Sequence, residues 1–194
     1  MKTSDKILDV ARQLFNESGI RNTTTRGIAV TMAISPGNLH YHFKHTEDIV
    51  IALFRQLIDW YDHIIEQVQY LSLECIDDLI PILELIYEKM DEFRFLFLHF
   101  VEIGIWIPDI RIDYQHLVAK RENQFINWLE RLEEQGVLVT LSPQIKTNLV
   151  KKLFIVGDFW MSYNTLSYRY SGIEAKKDYV DTMMSLLLPY VKDR

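Results

Sequence analysis

The 194-residue chain has one cysteine, Cys75, which excludes an internal disulfide framework and fits a reducing cytoplasm. It also lacks any long apolar run. Its longest apolar-aromatic stretch, Phe95 to Trp106, is interrupted by His99, Glu102 and Gly104. A membrane-spanning helix needs roughly 20 uninterrupted apolar residues. The first thirty residues contain no apolar core of the signal-peptide kind. The expectation is a soluble, cytoplasmic protein with no signal peptide and no membrane partner. Strand-like alternation, internal repeats, low-complexity linkers and a glycine-rich phosphate loop are missing too, which removes β and nucleotide-binding α/β architectures. Positive charge is in deficit overall, at -6, but its distribution matters more than its total. Residues 1–46 hold six basic against three acidic side chains, a balance of +3 that leaves −9 for the remainder.

What the sequence does have is helical patterning from end to end. With 48% hydrophobic residues it can bury a core in one large or two small domains. Ile7, Leu8, Ala11, Leu14 and Phe15 recur on one face of a first helix that Gly19 stops. Thr24 to Met32 reads as a short second helix, joined through Ala33-Ile34 to a short third over Ser35 to Phe43. Ser35 is a good N-cap, and Pro36 suits the first helical position, where a missing N–H costs nothing. Leu39 and Phe43 are the expected anchors of that helix. Gly37 permits a close backbone approach, and Asn38, His40, Tyr41 and His42 carry polar tips with little to bury. Two short helices so joined form a helix-turn-helix pattern, whose second helix enters the DNA major groove.

The run from Ile28-Ala29 through Ile34-Ser35-Pro36-Gly37-Asn38-Leu39 to Tyr41-His42-Phe43-Lys44 resembles the DNA-binding signature of the tetracycline-repressor (TetR) family. The likeness covers about Ser4 to Ala52. It implies that Thr24, Thr25 and Arg26 meet the DNA backbone or a base edge, and that Ser35, Pro36, Gly37, Asn38, His40, Tyr41, His42 and Lys44 complete the contact surface. It departs from the family pattern at Thr46, where lysine is common, and at His40, where tyrosine is. The resemblance further implies a larger C-terminal domain that dimerises and binds a small effector.

Downstream, Thr46 is expected to cap a long helix to about Tyr70. Further helices are expected over Asp77–Met90, Glu92–Ile105 (apolar on most sides, hence placed in the middle of the bundle) and Pro108–Gln135. Ser142–Tyr170 and Glu174–Val191 complete the set. The expected fold is all-α with about nine helices, divided into a helix-turn-helix domain at 1–46 and a ligand-binding and dimerisation domain at 47–194.

An aromatic pocket with a few polar groups is expected in the larger domain, from His99, Phe100, Glu102, Trp106, Phe125, Trp128, Asp158 and Trp160. Its effector would be apolar or aromatic. In the last two helices, Leu153, Gly157, Trp160, Met161, Tyr179, Val180, Met183, Met184 and Leu187 exceed the single stripe of a surface helix and are the expected homodimer interface. His40, His42 and His45 cluster without cysteines in the expected DNA surface, so no metal is expected, and no cofactor. Cys75, His99 and His116 lack any nucleophile elbow, so no enzyme is expected. The resulting reading is a DNA-binding regulator, expected to be a repressor acting as a dimer on a palindromic double-stranded operator. An all-α small-molecule binder or carrier with a degenerate DNA head is the alternative, left open by Thr46 and the acidic total.

Overall fold

The structure is a computed structural model and describes residues 2–192. It contains ten α-helices: α1 (Thr3–Ser18), α2 (Thr25–Thr31), α3 (Pro36–His42), α4 (Thr46–Tyr70), α5 (Ile80–Glu92), α6 (Arg94–Leu98), α7 (Phe100–Trp106), α8 (Pro108–Glu134), α9 (Pro143–Leu166) and α10 (Gly172–Ser185). Short 3-10 turns lie at Ile20–Asn22, Ile76–Leu79 and Leu188–Tyr190. No strand occurs among the described residues beyond an isolated bridge between Leu138 and Val191. None of the described helices is long and apolar enough to cross a membrane.

Two compact units emerge. The first holds residues up to 64 together with 93–112, and the second holds 65–92 together with 113 onward. The boundary expected after Thr46 lies within the first unit, because Ile49, Val50 and Leu53 of α4 are fully buried there. Its core joins these to Ile7, Ala11 and Phe15 of α1, Ile28 and Ala29 of α2, and Leu39 of α3. Gly19 caps α1 at φ 81, a left-handed conformation that favours glycine.

The stretch expected as one helix over Glu92–Ile105 in the middle of the C-terminal bundle is instead two helices belonging to the first unit. The chain breaks at His99 (φ -121, ψ 20), which accounts for ten helices rather than nine. The cause is tertiary. Phe95 sets its ring 5.1 Å from that of Phe15 and donates its backbone N–H to the side chain of Asn16 at 3.0 Å. The guanidinium of Arg12 lies 5.3 Å from the Phe93 ring. Fastened at α6, the segment leaves Val101, Ile105 and Trp106 of α7 exposed.

In the second unit α10 packs on α5 and α9. Tyr87, Trp160 and Tyr179 form its aromatic centre, with ring centroids 5.4 to 5.9 Å apart. Lys146 of α9 meets Glu130 at 3.3 Å and Glu133 at 3.2 Å on α8. The last two helices are shorter than expected. α9 ends at Leu166, not Tyr170, because the Asn164 amide donates to the carbonyl of Tyr170 and accepts its N–H. That exchange closes a turn in which Arg169 takes φ 58. α10 ends at Ser185, not Val191. Pro189 then sits in the 3-10 turn Leu188–Tyr190, the carbonyl of Tyr190 accepts the N–H of Val139, and Lys192 donates its N–H to the carbonyl of Val137.

Candidate nucleic-acid interface

The polar surface near the N-terminus is built by capping. Thr24 accepts the N–H of Gly27 through its hydroxyl at 3.1 Å, and Ser35 accepts that of Asn38 at 3.2 Å. Between α2 and α3 the chain turns through Ala33 at φ 52. There the N–H of Ile34 returns to the carbonyl of Ala29 at 3.0 Å. A non-glycine residue in the left-handed region is uncommon, and here it makes the sharp joint the two helices need. After α3, the Asp48 carboxylate accepts the N–H groups of Lys44 at 3.0 Å and His45 at 2.9 Å. Capping therefore falls to Asp48, while Thr46 is the first helical residue of α4.

α3 is anchored by one side chain, Leu39, which is 0% exposed, with Phe43 half-buried at its end. Everything else on it faces outward. Ser35, Pro36, Gly37, Asn38, His40, Tyr41, His42 and Lys44 are exposed, as are Thr24 and Arg26 on α2, while Thr25 is half-buried. Tyr41 reaches 85% exposure. A Cβ built at Gly37 would meet no atom within 4 Å, so nothing inside the chain requires a glycine there. His40 Nε2 stands 3.4 Å from the Thr25 hydroxyl and bridges the two helices. The His42 ring meets Tyr41 edge-on at 5.1 Å. The eleven residues named from the sequence thus share two adjacent short helices and the joints around them.

A neighbour missed by sequence reasoning is Arg21, whose guanidinium donates two hydrogen bonds to Glu102 of α7. That contact holds the Glu102 carboxyl below the usual carboxylate range, assisted by His99. No local signal links residues 81 positions apart.

The residues expected to line one pocket divide between the two units. His99, Phe100, Glu102 and Trp106 belong to the first. His99 and Glu102 are not polar groups set into a buried face: both are exposed and pair with each other at 3.5 Å. Trp106 is exposed, and Phe100 stands 6.3 Å from Phe54. Phe125, Trp128, Asp158 and Trp160 belong to the second unit. Phe125 meets Phe154 edge-on at 5.8 Å, Trp128 is half-buried, and the Trp160 indole N–H donates to Asp178 at 3.0 Å. Asp158 accepts from the hydroxyl of Tyr114 at 2.5 Å. Burial pushes its carboxyl up to about 6, with the tyrosine hydrogen bond opposing. Tyr114 was not singled out from the sequence. Its signal is a four-and-three spacing along α8 through Tyr114, Val118, Arg121, Phe125 and Trp128.

Most of the expected interface residues are core. Trp160, Met161, Tyr179, Val180, Met183, Met184 and Leu187 are buried within their own chain, and Leu153 and Gly157 are half-buried. The apolar side of α9 that remains exposed is Ile155, Phe159, Tyr163 and Leu166. Among the described residues, no group of three or more His, Cys, Asp or Glu side chains stands ready to hold a metal ion.

Residues 62–194 match the TetR family model described as a bacterial transcriptional repressor, and residues 7–53 match that of bacterial regulatory proteins of the tetR family. The chain is 23% identical over 158 residues to the HTH-type transcriptional repressor KstR2 of Mycolicibacterium smegmatis, covering 81% of this chain and 76% of that protein. It is 28% identical over 167 residues to the HTH-type transcriptional regulator UidR of Escherichia coli, covering 79% and 76%. A crystal structure of a TetR-family transcriptional regulator from Marinobacter aquaeolei superposes with a TM-score of 0.87 at 26% identity, covering 99% of this chain and 92% of the other.

Proposed function

Because the chain belongs to the TetR family, and is therefore a DNA-binding transcriptional regulator rather than an enzyme, we propose that it acts in the cytoplasm as a homodimeric repressor on a palindromic operator and is released by a small-molecule effector. The observation that carries the DNA reading is α3 itself. One leucine holds it, and its other named side chains project into solvent. Residues 1–46 are the reading head. Tyr41 and Lys44 position it on phosphates, with Thr24, Thr25 and Arg26, while Asn38 and His40 lie nearest base edges and Gly37 lets the backbone close in.

The remainder, 47–194, dimerises and senses the effector. A head with so few phosphate contacts needs a second copy, and a two-fold dimer doubles them on a palindrome. Ile155, Phe159, Tyr163 and Leu166 recur at four, four and three residues, a continuous exposed apolar stripe on α9 suited to a second copy of the chain. Effector binding releases DNA by favouring one separation of the two heads over another. Gel retardation with the DNA flanking the gene, at increasing salt, tests the reading. A specific complex that weakens as salt rises is expected. Failure to retain that DNA over competitor at low salt would return the chain to the class of small-molecule binders.

A further inference from the structure

α8 and α9 run antiparallel in the second unit: Lys146 meets Glu133 and Glu130, Phe154 meets Phe125, and Asp158 meets Tyr114. Along their contact one carboxylate is poorly provided for. Asp158 has a single hydrogen bond, from Tyr114, and no cationic side chain among the described residues pairs with it. Its charge is felt at Tyr179 of α10, a buried phenol pushed up by burial first and by Asp158 second. A carboxylate sunk among aromatic rings without a cation is costly to keep.

There is also room beside it. Half-buried Gly157 falls at helical spacing with Val150, Met161 and Asn164 of α9, which are buried. A Cβ built at Gly157 meets no atom within 4 Å. Leu153, Phe154, Val156 and Asp158 around it all keep water-accessible surface. Gly157 thus leaves open space next to Asp158, and one turn before the acid stands the Phe154 ring, paired with that of Phe125; ring faces attract cations.

We infer, on the effector-sensing reading above, that the effector is a compound carrying an ammonium group on a flat aromatic body, with the ammonium seated on Asp158 and the body beside Phe125 and Phe154. The acid supplies the counter-charge and the rings supply apolar area. A neutral alcohol of the same body gains only the second, and a carboxylate meets repulsion.

The test uses the intact protein and three compounds with one body: naphthylethylamine, naphthylethanol and naphthylacetate, titrated by calorimetry at pH 7.5. The amine is expected to bind at least about tenfold more tightly than the alcohol, with the acetate weakest. In Asp158→Asn, shown folded by circular dichroism, the amine should fall to the alcohol's affinity while the alcohol is unchanged. Tyr114→Phe, which leaves the carboxylate in place, should keep the amine preference. Equal binding of amine and alcohol, binding of none of the three, a preference that survives Asp158→Asn, or its loss in Tyr114→Phe would each overturn the inference. Operator affinity is followed in the same solutions. Amine-selective binding that leaves it unchanged would remove the effector-sensing reading and leave the cation site standing.

Discussion

Arg21, in the turn that follows α1, donates its Nε–H to Glu102 of α7 at 2.6 Å, with a second hydrogen bond from the same guanidinium to the same oxygen. This ties the first helices of the reading head to a segment inserted between α5 and α8, within one compact unit. Both side chains are exposed, so the pair adds little to stability and is screened by salt. On the proposed reading of effector-induced release, its role is to couple α7 to the head. In Glu102→Gln, operator affinity without effector should stay within about threefold of the unmodified protein. Effector-induced release should become weaker, and gel retardation with and without effector reads both. A full release response in Glu102→Gln would show that the pair carries no coupling.

Tyr41 is the most exposed aromatic side chain of the head, and on the proposed reading its hydroxyl meets a phosphate. Loss of one hydrogen bond to a charged group corresponds to about a tenfold loss of affinity. Tyr41→Phe should show that loss on operator and on unrelated DNA alike. Asn38→Ala should weaken the operator complex more than the non-specific one. Fluorescence anisotropy on both DNAs separates the two effects, and unchanged operator binding by Tyr41→Phe would reassign the residue.

Asp158 predicts a stability profile of unusual sign. Its carboxyl is raised from 3.8 to about 6 by burial, so between those values the folded state binds more protons than the unfolded chain. Stability from this group is greatest at low pH and falls as pH rises through about 6, by at most roughly 3 kcal/mol. Asp158→Asn still accepts from Tyr114 and avoids the buried charge. Its melting temperature should exceed that of the unmodified protein at pH 7.5 and converge with it only at about pH 3.5, below the unfolded value of 3.8. Equal destabilisation at both values would mean that the carboxylate is structurally required.

Exposure on α9 and α10 separates the proposed interface from the core. Leu166 is 86% exposed and Met184 6%. Leu166→Glu with Ile155→Glu should halve the mass seen by light scattering and abolish operator binding, while the helical circular dichroism spectrum is retained. Met184→Glu places an unpaired charge in the core, a cost of several kcal/mol, and should lose cooperative melting. An intact dimer in the double variant would move the interface off this stripe.

The head was legible because its elements are decided locally. Thr24, Ser35 and Pro36 start α2 and α3, Gly19 stops α1, and Ser142-Pro143 and Gly136 punctuate α8 and α9. Each acts through a cap hydrogen bond, a missing N–H or a positive φ that reaches no further than a few residues. Leu39 stood out as an anchor because every neighbour on α3 is polar or small. The second unit offered no such contrast. α9 and α10 are apolar on several sides, and periodicity reports how much apolar surface a helix has without saying which part its own chain covers. Packing alone sent Tyr179, Met183 and Met184 inward and left Ile155, Tyr163 and Leu166 outside. The break at His99 and the pairing of Arg21 with Glu102 and of Tyr114 with Asp158 were likewise fixed by partners distant in sequence. Such contacts form only once the helices have met, and each is decided by the geometry of that meeting.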